Sequence, residues 1–241
     1  MPDANPISSE TLEVLRKIPT QTLIDGLWVM GWPMSFIHGA KPLQAGQHMA
    51  GRAITLRFVP HRPDLAADKP KGDQSAEYVA IELCGPEEVL VIDAMGWEYS
   101  SIGGDIKFLR MMQLKAGGLV TDGAARDSNT LKGYGFPVYA ANITAKQGPA
   151  EFWPWQVNDA IQCGRVLVRP GDAVVGDDDG AVVVPAATVD EVIRIAHERE
   201  EVEEVIKAQL EIEQCSPGKY YPFNDLTWKL FEEKTGKKRT G

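Results

Sequence analysis

The chain has 241 residues, of which 44% are hydrophobic and 24% charged, values typical of a globular protein that folds without disulfides or a structural metal. Its 25 basic and 34 acidic side chains give a formal net charge of −9, which argues against nucleic acid or an anionic membrane as partner. No apolar run is long enough to span a membrane, and the first residues lack a secretory pattern. Because Cys84, Cys163 and Cys215 are also widely spaced, we expect a cytoplasmic protein.

The first part of the chain is predicted to alternate helices and strands. The predicted helices are Ser8–Lys17, Thr20–Met30, Gln74–Cys84, Asp105–Lys115 and Arg126–Gly133. The predicted strands are Met49–Val59, Glu88–Ala94, Gly118–Thr121 and Phe136–Ala140. Residues 60–73 include three prolines and predict a surface loop. This alternation is typical of an α/β fold with parallel strand pairing.

After residue 161 the pattern changes to short strands separated by turn sequences. The predicted strands are Val166–Val168, Ala173–Val175 and Ala181–Val184, which together suggest a meander. The acidic run Asp177–Gly180 lacks the rest of a calcium loop and is interpreted as a hairpin turn.

A long helix is predicted over Thr188–Gln214, because apolar residues recur there at steps of three and four. Beyond it, Trp228, Leu230 and Phe231 could anchor a helical tail. We therefore predict one domain over residues 1–215, with residues 216–241 as an extension that packs on the domain or on a neighbouring subunit.

The chemistry is predicted to lie between residues 101 and 127. Gly103 and Gly104 precede Asp105, which begins a predicted helix. The amides of Ile106 and Lys107 would then lie at the positive end of that helix, where a carboxylate or phosphate can bind. The alternative is that Asp105 only caps the helix.

Arg126 and Asp127 follow a predicted strand through a glycine-bearing loop, a position where α/β folds bind ligands. The planar guanidinium can hold a carboxylate or an enolate oxygen. A carboxylate beside it can hold a hard divalent ion such as magnesium. The alternative is again structural, with Asp127 as a cap and Arg126 in a surface ion pair.

The spacing of these residues carries a family resemblance. Twenty residues separate Asp105 from Arg126, and the pattern D-x20-R-D with GGLVTDGAARD and GYGFPVYAANIT resembles the RraA-like family. It most resembles the catalytic branch, the 4-hydroxy-4-methyl-2-oxoglutarate/4-carboxy-4-hydroxy-2-oxoadipate aldolases. The similarity extends over about Thr20–Glu213 and includes ITLRF, EVLVIDA and PGDAVVGDDDGAVVVP. It implies a layered β/β/α sandwich of the swivelling type and a trimer or a dimer of trimers.

The resemblance also implies an activity, that of a class II pyruvate aldolase using Mg²⁺ or Mn²⁺. Such an enzyme cleaves a 4-hydroxy-2-oxo acid and is expected to decarboxylate oxaloacetate. By match, Asp127 holds the metal, Arg126 stabilises the enolate and Asp105 orders a water molecule at the metal. The substrate would be bound by Arg126 and by the segment from Gly104 through Asp105 and Ile106 to Lys107.

A further glutamate is expected from a neighbouring subunit, because the family has an RExxE stretch on its C-terminal helix. Here that stretch is residues 199–203, which points to Glu203, with Glu200 and Glu201 left open. The alternative is an ordinary solvated acidic face.

Two alternative functions stay open. One is a non-catalytic RraA-type regulator that binds a ribonuclease. The other is a lyase of sugar-acid catabolism that uses the same site. Asp127 favours an enzyme, since the regulators depart from the pattern at that aspartate. The long 60–73 loop, the tail and Lys107 depart from the aldolase pattern, which leaves the substrate undetermined.

Overall fold

The computed structural model describes residues 6–33, 35–149 and 151–239. The helices are α1 (Ser9–Leu15), α2 (Thr20–Val29), α3 (Pro63–Ala66), α4 (Ala76–Glu82), α5 (Asp105–Leu114), α6 (Ser128–Lys132), α7 (Val189–Glu213) and α8 (Asp225–Thr235). The strands are β1 (Lys41–Pro42), β2 (Met49–Pro60), β3 (Glu88–Asp93), β4 (Gly118–Ala125), β5 (Val138–Ile143), β6 (Phe152–Val157), β7 (Ile161–Cys163), β8 (Val166–Val168), β9 (Ala173–Asp177) and β10 (Gly180–Val184). Within the described ranges, no helix is both long and apolar enough to cross a membrane.

One large sheet organises the chain, in the order β1-β5-β4-β3-β2-β9-β10, with β6 also paired to β2. Strands β2, β3, β4 and β5 run parallel, whereas β1, β6, β9 and β10 pair antiparallel. The sheet curves into a nearly closed barrel. The α/β class and the long C-terminal helix predicted from the sequence are confirmed. Because β3 and β4 are parallel, the loops that leave their carboxyl ends meet at one edge.

Strand β4 is buried at every position, which explains its lack of a polar alternation. Leu119 faces a core cluster that includes Phe108 and Met111 of α5. The next residue, Val120, faces a second cluster that includes Cys163 of β7. Alternate side chains of a strand point to opposite faces, so helices cover one face here and the β7–β8 hairpin covers the other.

The hairpin interpretation of Asp177–Gly180 is confirmed, because β9 and β10 pair antiparallel across this turn. The Asp177 carboxylate is buried. It accepts hydrogen bonds from the Thr20 amide at 2.8 Å and the Thr20 hydroxyl at 2.9 Å, at the start of α2. The Asp179 amide donates to it as well, at 2.9 Å. This aspartate therefore joins the hairpin to the N-terminal helices.

The C-terminal extension packs on α7 of the same chain. Tyr220, Leu230 and Phe231 form a buried cluster with Val202 and Ile206 of α7, and the third predicted anchor, Trp228, packs against it partly buried. Asn224 caps α8 with a full capping box. The extension thereby covers an apolar stripe of α7 that would otherwise face solvent.

Three sequence predictions of local structure were wrong. Strand β4 does not end at Thr121 but continues to Ala125, because it stays paired with β5 beyond a register shift. Helix α6 therefore starts at Ser128, not at Arg126. Residues 60–73 are not irregular throughout, since they contain α3 and the start of a 3₁₀ turn at Gly72–Gln74. Strand β6 was missed.

Candidate active site

The candidate site forms where the loop after β3 meets the end of β4. The Ile102 amide donates to the Ala124 carbonyl at 2.8 Å, and the Arg126 amide donates to the Gly103 carbonyl at 3.1 Å. These two bonds extend the parallel pairing of the sheet past the end of the regular strand. They bring Asp105 next to Arg126 and Asp127, although twenty residues of helix and strand separate them.

Asp127 has a left-handed backbone, with φ 56° and ψ 37°, a conformation that aspartate tolerates better than most residues. It occupies the N-cap position of α6, yet its side chain makes no capping hydrogen bond. Its Oδ2 instead accepts from the Asp105 amide at 3.2 Å and from Arg126 Nε at 3.3 Å. Of the structural alternative, the cap by the Asp127 side chain is not formed, but the surface ion pair of Arg126 is present, with Asp127 as its partner. The Asp127 carboxylate faces the loop that carries Asp105.

Gly104 is required by the close approach of these groups. A Cβ at Gly104 would collide with Asp127 Oδ2 and lie 2.8 Å from Arg126 Cγ. Its backbone is extended, with φ −145°, so any residue could adopt the conformation. A larger residue at this position would therefore displace the side chains of Asp127 and Arg126, which belong to a loop distant in sequence.

Asp105 is the first residue of α5, after the N-cap Gly104. Its Oδ1 accepts from the Ile106 amide at 2.7 Å, so this carboxylate already occupies one of the two amides predicted to bind an anion. The Tyr134 hydroxyl donates to the Asp105 carbonyl at 3.1 Å and fixes the start of the helix. Tyr134 was not predicted from the sequence, where its only signal is an aromatic residue beside the glycine that ends α6.

The side chain of Lys107 is half-buried and points away from Arg126 and Asp127. Its ammonium pairs with Glu77 of α4 and donates to the Ile102 carbonyl at 3.0 Å. It lines a small cavity behind the loop, apart from the cavity that Arg126 and Asp127 line. A substrate role for Lys107 stays a prediction, and in this chain the side chain braces the loop that carries Asp105.

Arg126 and Asp127 line an open cavity of about 670 Å³. Its other walls are Ser128, Asn129, Thr130 and the segment 143–145 at the end of β5. The side chains of Arg126 and Asp127 are 42% and 35% exposed, so one chain alone leaves both charged groups in contact with water. The arrangement presents a cation and a carboxylate side by side to a small anionic ligand.

Two buried aspartates support this edge of the sheet from beneath. Asp122 accepts from the amides of Ala94 at 2.8 Å, Gly96 at 3.0 Å and Gly164 at 3.1 Å. Burial, with the nearby Asp122 charge adding to it, raises the pKa of the Asp93 carboxyl, while a hydrogen bond from the Met95 amide opposes this. Asp122 holds the β3 and β7 loops together, a role that was not predicted from the sequence.

The predicted glutamates lie on α7. Within the described chain, no hydrogen bond or ion pair connects Glu200, Glu201 or Glu203 to Arg126 or Asp127. The Glu201 carboxylate is held by Lys237 of the tail at 2.7 and 2.8 Å. Glu203 is half-buried and lies near Glu200, whose pKa burial raises. Their role at the site of a neighbouring subunit stays a prediction.

The described residues contain no cluster of three or more histidine, cysteine, aspartate or glutamate side chains suited to a metal ion. What they offer at this edge is the pair Asp105 and Asp127. In the described chain, hydrogen bonds engage Oδ1 of Asp105 and Oδ2 of Asp127, and each carboxylate keeps its other oxygen.

The amino-acid sequence of this chain is similar to a known family and to a named relative. The family model RraA-like, described as Aldolase/RraA, matches residues 20–183. A protein of Halalkalibacterium halodurans named "Putative 4-hydroxy-4-methyl-2-oxoglutarate aldolase" is 31% identical over 77% of this chain and 81% of its own.

Two solved structures share the fold of this chain. Streptomyces coelicolor RraAS2, described as an unusual member of the RNase ES inhibitor RraA protein family, is 31% identical with a TM-score of 0.73. The match covers 82% of this chain and 95% of that one. An uncharacterized protein of Pseudomonas syringae pv. tomato shares the fold, with a TM-score of 0.74 at 22% identity, over 89% of this chain and 98% of its own.

Proposed function

This chain belongs to the RraA-like family, and we propose that it is a divalent-metal-dependent aldolase that cleaves a 4-hydroxy-2-oxo acid into pyruvate and a carbonyl product. The relative from Halalkalibacterium halodurans supports this reaction class through its name. We propose Mg²⁺ or Mn²⁺ as the cofactor and oxaloacetate decarboxylation as a second activity, because both reactions form the enolate of pyruvate.

The observation that carries the proposal is the state of Asp127. Its carboxylate neither caps α6 nor is buried, and it is held beside Arg126 by contacts that exclude a side chain at Gly104. Aspartate adopts a left-handed backbone more readily than most residues, so the exposure of this carboxylate beside Arg126, rather than its backbone conformation, supports a binding role.

The donor set fits a magnesium ion. Magnesium is commonly bound through one or two carboxylates and keeps several waters, and Asp127 and Asp105 each retain an oxygen that the described chain leaves without a hydrogen bond. We propose that Asp127 is the direct ligand and that Asp105 acts through water. When bound, the ion would supply Lewis-acid stabilisation of negative charge on the 2-oxo acid.

The residues of the chain would perform the remaining steps. In the cleavage, the bond between C3 and C4 breaks, the 4-hydroxyl loses its proton, and the electron pair passes to the enolate of pyruvate, which then takes a proton at C3. Arg126 is suited to the enolate oxygen because its Nη groups form no hydrogen bond in the described chain. A preorganised donor aimed at the developing charge is an effective form of catalysis.

We further propose that a neighbouring subunit completes the site. The cavity is open and both charged side chains are wet, whereas an enolate is better stabilised where water is excluded. The exposed Ile106, at 84%, and Ile143, at 47%, flank the site and offer apolar surface to a second copy. Glu203 of that copy is our candidate for the proton transfer at the 4-hydroxyl.

The activity is tested by pyruvate release from a panel of 4-hydroxy-2-oxo acids and from oxaloacetate, with Mg²⁺ and with EDTA. We expect release from at least one substrate with Mg²⁺ and its loss with EDTA. No release from any of them with metal present would reject the aldolase.

Subunit sharing is tested separately. Asp127→Asn and Glu203→Gln chains, each inactive, are dissociated, mixed and reassembled. Partial recovery of activity is expected because some interfaces regain one intact site. An active monomer, or no recovery in well-mixed oligomers, would contradict the shared site.

A second function has its own support. The similarity to RraAS2, at 31% identity, favours a regulator that binds a ribonuclease without catalysis. The two functions make opposite predictions for Asp127→Asn, since ribonuclease binding would not need that carboxylate. Co-sedimentation of the wild-type chain and of Asp127→Asn with RNase ES, the ribonuclease named for that relative, separates them.

A further inference from the structure

A second cavity lies away from Asp127, between the β2–β6 pair and the segment 60–75. It measures about 450 Å³, a size suited to a small organic ligand. Three cations, Arg57, Arg62 and Lys69, line it beside Trp153 and Trp155, together with apolar residues and no carboxylate. On a chain with net charge −9, this convergence of positive charge is local. We name this space the tryptophan cavity.

Lys69 forms no ion pair within the described chain, whereas Arg62 pairs with Asp64. Arg57 Nη1 donates to Gln156 Oε1 at 3.4 Å, and the Arg57 charge opposes the rise in the pKa of the buried Asp93 carboxyl. The Lys69 ammonium instead lies 3.3 Å from the centroid of the Trp155 ring, a cation–π contact. An anion that enters the cavity would therefore meet the Lys69 ammonium, which no carboxylate of the described chain pairs with, beside the guanidinium of Arg57.

The walls also favour a flat ring. Trp153 stacks on His61, with ring centroids 5.1 Å apart and an interplanar angle of 24°. Trp155 presents its face to Lys69. Large aromatic walls give favourable dispersion and stacking with planar ligands, whereas an aliphatic acid would use only the charge.

A smaller cavity of about 180 Å³ adjoins this space and shares Lys69 and Trp153 with it. Ser75 also lines it. Trp153 Nε1 and Ser75 Oγ are both buried without a hydrogen-bond partner in the described chain. Buried donors are nearly always paired. Trp153 lines both cavities, so an acceptor atom of a ligand that extends from the tryptophan cavity into the smaller one would pair with these donors.

We propose that the tryptophan cavity binds a small aromatic carboxylate. Arg57 and Lys69 would meet the carboxylate, and the tryptophans would contact the ring. The site rests on residues that do not line the cavity of Arg126 and Asp127, and binding is measured directly. The result of the binding measurement is therefore independent of whether the chain has aldolase activity.

The first test is isothermal titration of the intact wild-type protein with 2-naphthoate. The matched comparators are 2-naphthamide, which lacks the charge, and succinate, which lacks the ring. We expect one saturable site per chain, with naphthoate binding at least about tenfold tighter than either comparator. Undetectable naphthoate binding, or equal binding of the amide, would overturn the proposal.

The second test uses variants of the cavity. Lys69→Met and Trp155→Leu are each expected to weaken naphthoate binding about tenfold. Trp28→Leu, which removes a tryptophan that is 68% exposed on α2, is the matched control and should bind like the wild type. Unchanged affinity in Lys69→Met and Trp155→Leu, or an equal loss in Trp28→Leu, would reject the assigned site.

Discussion

Two aspartates at two turns of the molecule lie in opposite environments. Asp177 ends β9, is 8% exposed and receives three hydrogen bonds, from both donors of Thr20 and from the Asp179 amide. Asp127 follows β4, keeps its side chain 35% exposed and receives two longer bonds, both at Oδ2. The difference teaches that residue type and turn position do not decide the role. What decides it is whether the protein's own donors already use the carboxylate.

The largest effect is expected for the Arg126→Lys variant. Under the proposed aldolase reaction, a point charge cannot reproduce the planar guanidinium that would meet the enolate, so kcat for pyruvate release should fall by about a thousandfold. The melting temperature should not change, because the side chain is 42% exposed. Steady-state kinetics and calorimetry check both. A wild-type kcat in this variant would remove Arg126 from the reaction.

Gly104→Ala probes the same turn without replacing a charged residue. The new methyl would displace the Asp127 carboxylate, and a misplacement of about 1 Å commonly costs about a hundredfold in rate. Gly218→Ala is the control, since a Cβ there meets only Ser216 Oγ at 3.5 Å. If Gly104→Ala kept full kcat/KM, the contact between the two loops would be irrelevant to function.

Asp177→Asn should show the reverse pattern, with normal kinetics and reduced stability. The side-chain NH₂ of the new asparagine would face N–H or O–H donors of Thr20 or Asp179, which now donate hydrogen bonds to the carboxylate. A buried donor left unpaired costs about 1–3 kcal/mol of unfolding free energy, measured by urea denaturation. Asp179→Asn, on the exposed side of the turn, should stay within about 0.5 kcal/mol. Unchanged stability in Asp177→Asn would contradict the structural role.

The smallest effect concerns Glu213, which ends α7. Hydrogen bonds, first from Lys219 and then from Gln209 and Tyr220, lower the pKa of its carboxyl from 4.5 to about 2. A lowered pKa in the folded state gives stability that is present above 4.5 and lost as the pH falls towards 2. Glu213→Gln should therefore lose less unfolding free energy than the wild type as the pH falls from 4.5 towards 2, measured by urea midpoints across that range. An equal loss in both would show that these contacts do not form.

Much of the site's framework was predictable from the sequence. EVLVIDA gives β3 because a parallel central strand is a continuous apolar run. Gly103 and Gly104 before Asp105 placed the start of α5 correctly. The spacing from Asp105 to Arg126 was sufficient to bring both to one edge, because one helix and one strand return the chain to that edge.

The remaining features depend on contacts distant in sequence. The end of β4 was misjudged because Ala124 and Ala125 carry little strand preference, and pairing with β5 decides their conformation. Strand β6 was missed because it contains Pro154, and proline within a strand is uncommon except at the edge of a sheet. β6 lies at such an edge, where it pairs with β2. The collision between a side chain at Gly104 and Asp127 leaves no local pattern at all.

The central claim is that the Asp127 carboxylate is free to bind a metal whereas that of Asp177 is used by the fold. Titration calorimetry with Mn²⁺ on the wild type, Asp127→Asn and Asp177→Asn tests it most directly. We predict that the wild type and Asp177→Asn bind alike, while Asp127→Asn loses at least about a hundredfold in affinity. Equal Mn²⁺ affinity in Asp127→Asn and the wild type, or an equal loss in Asp177→Asn, would contradict the account.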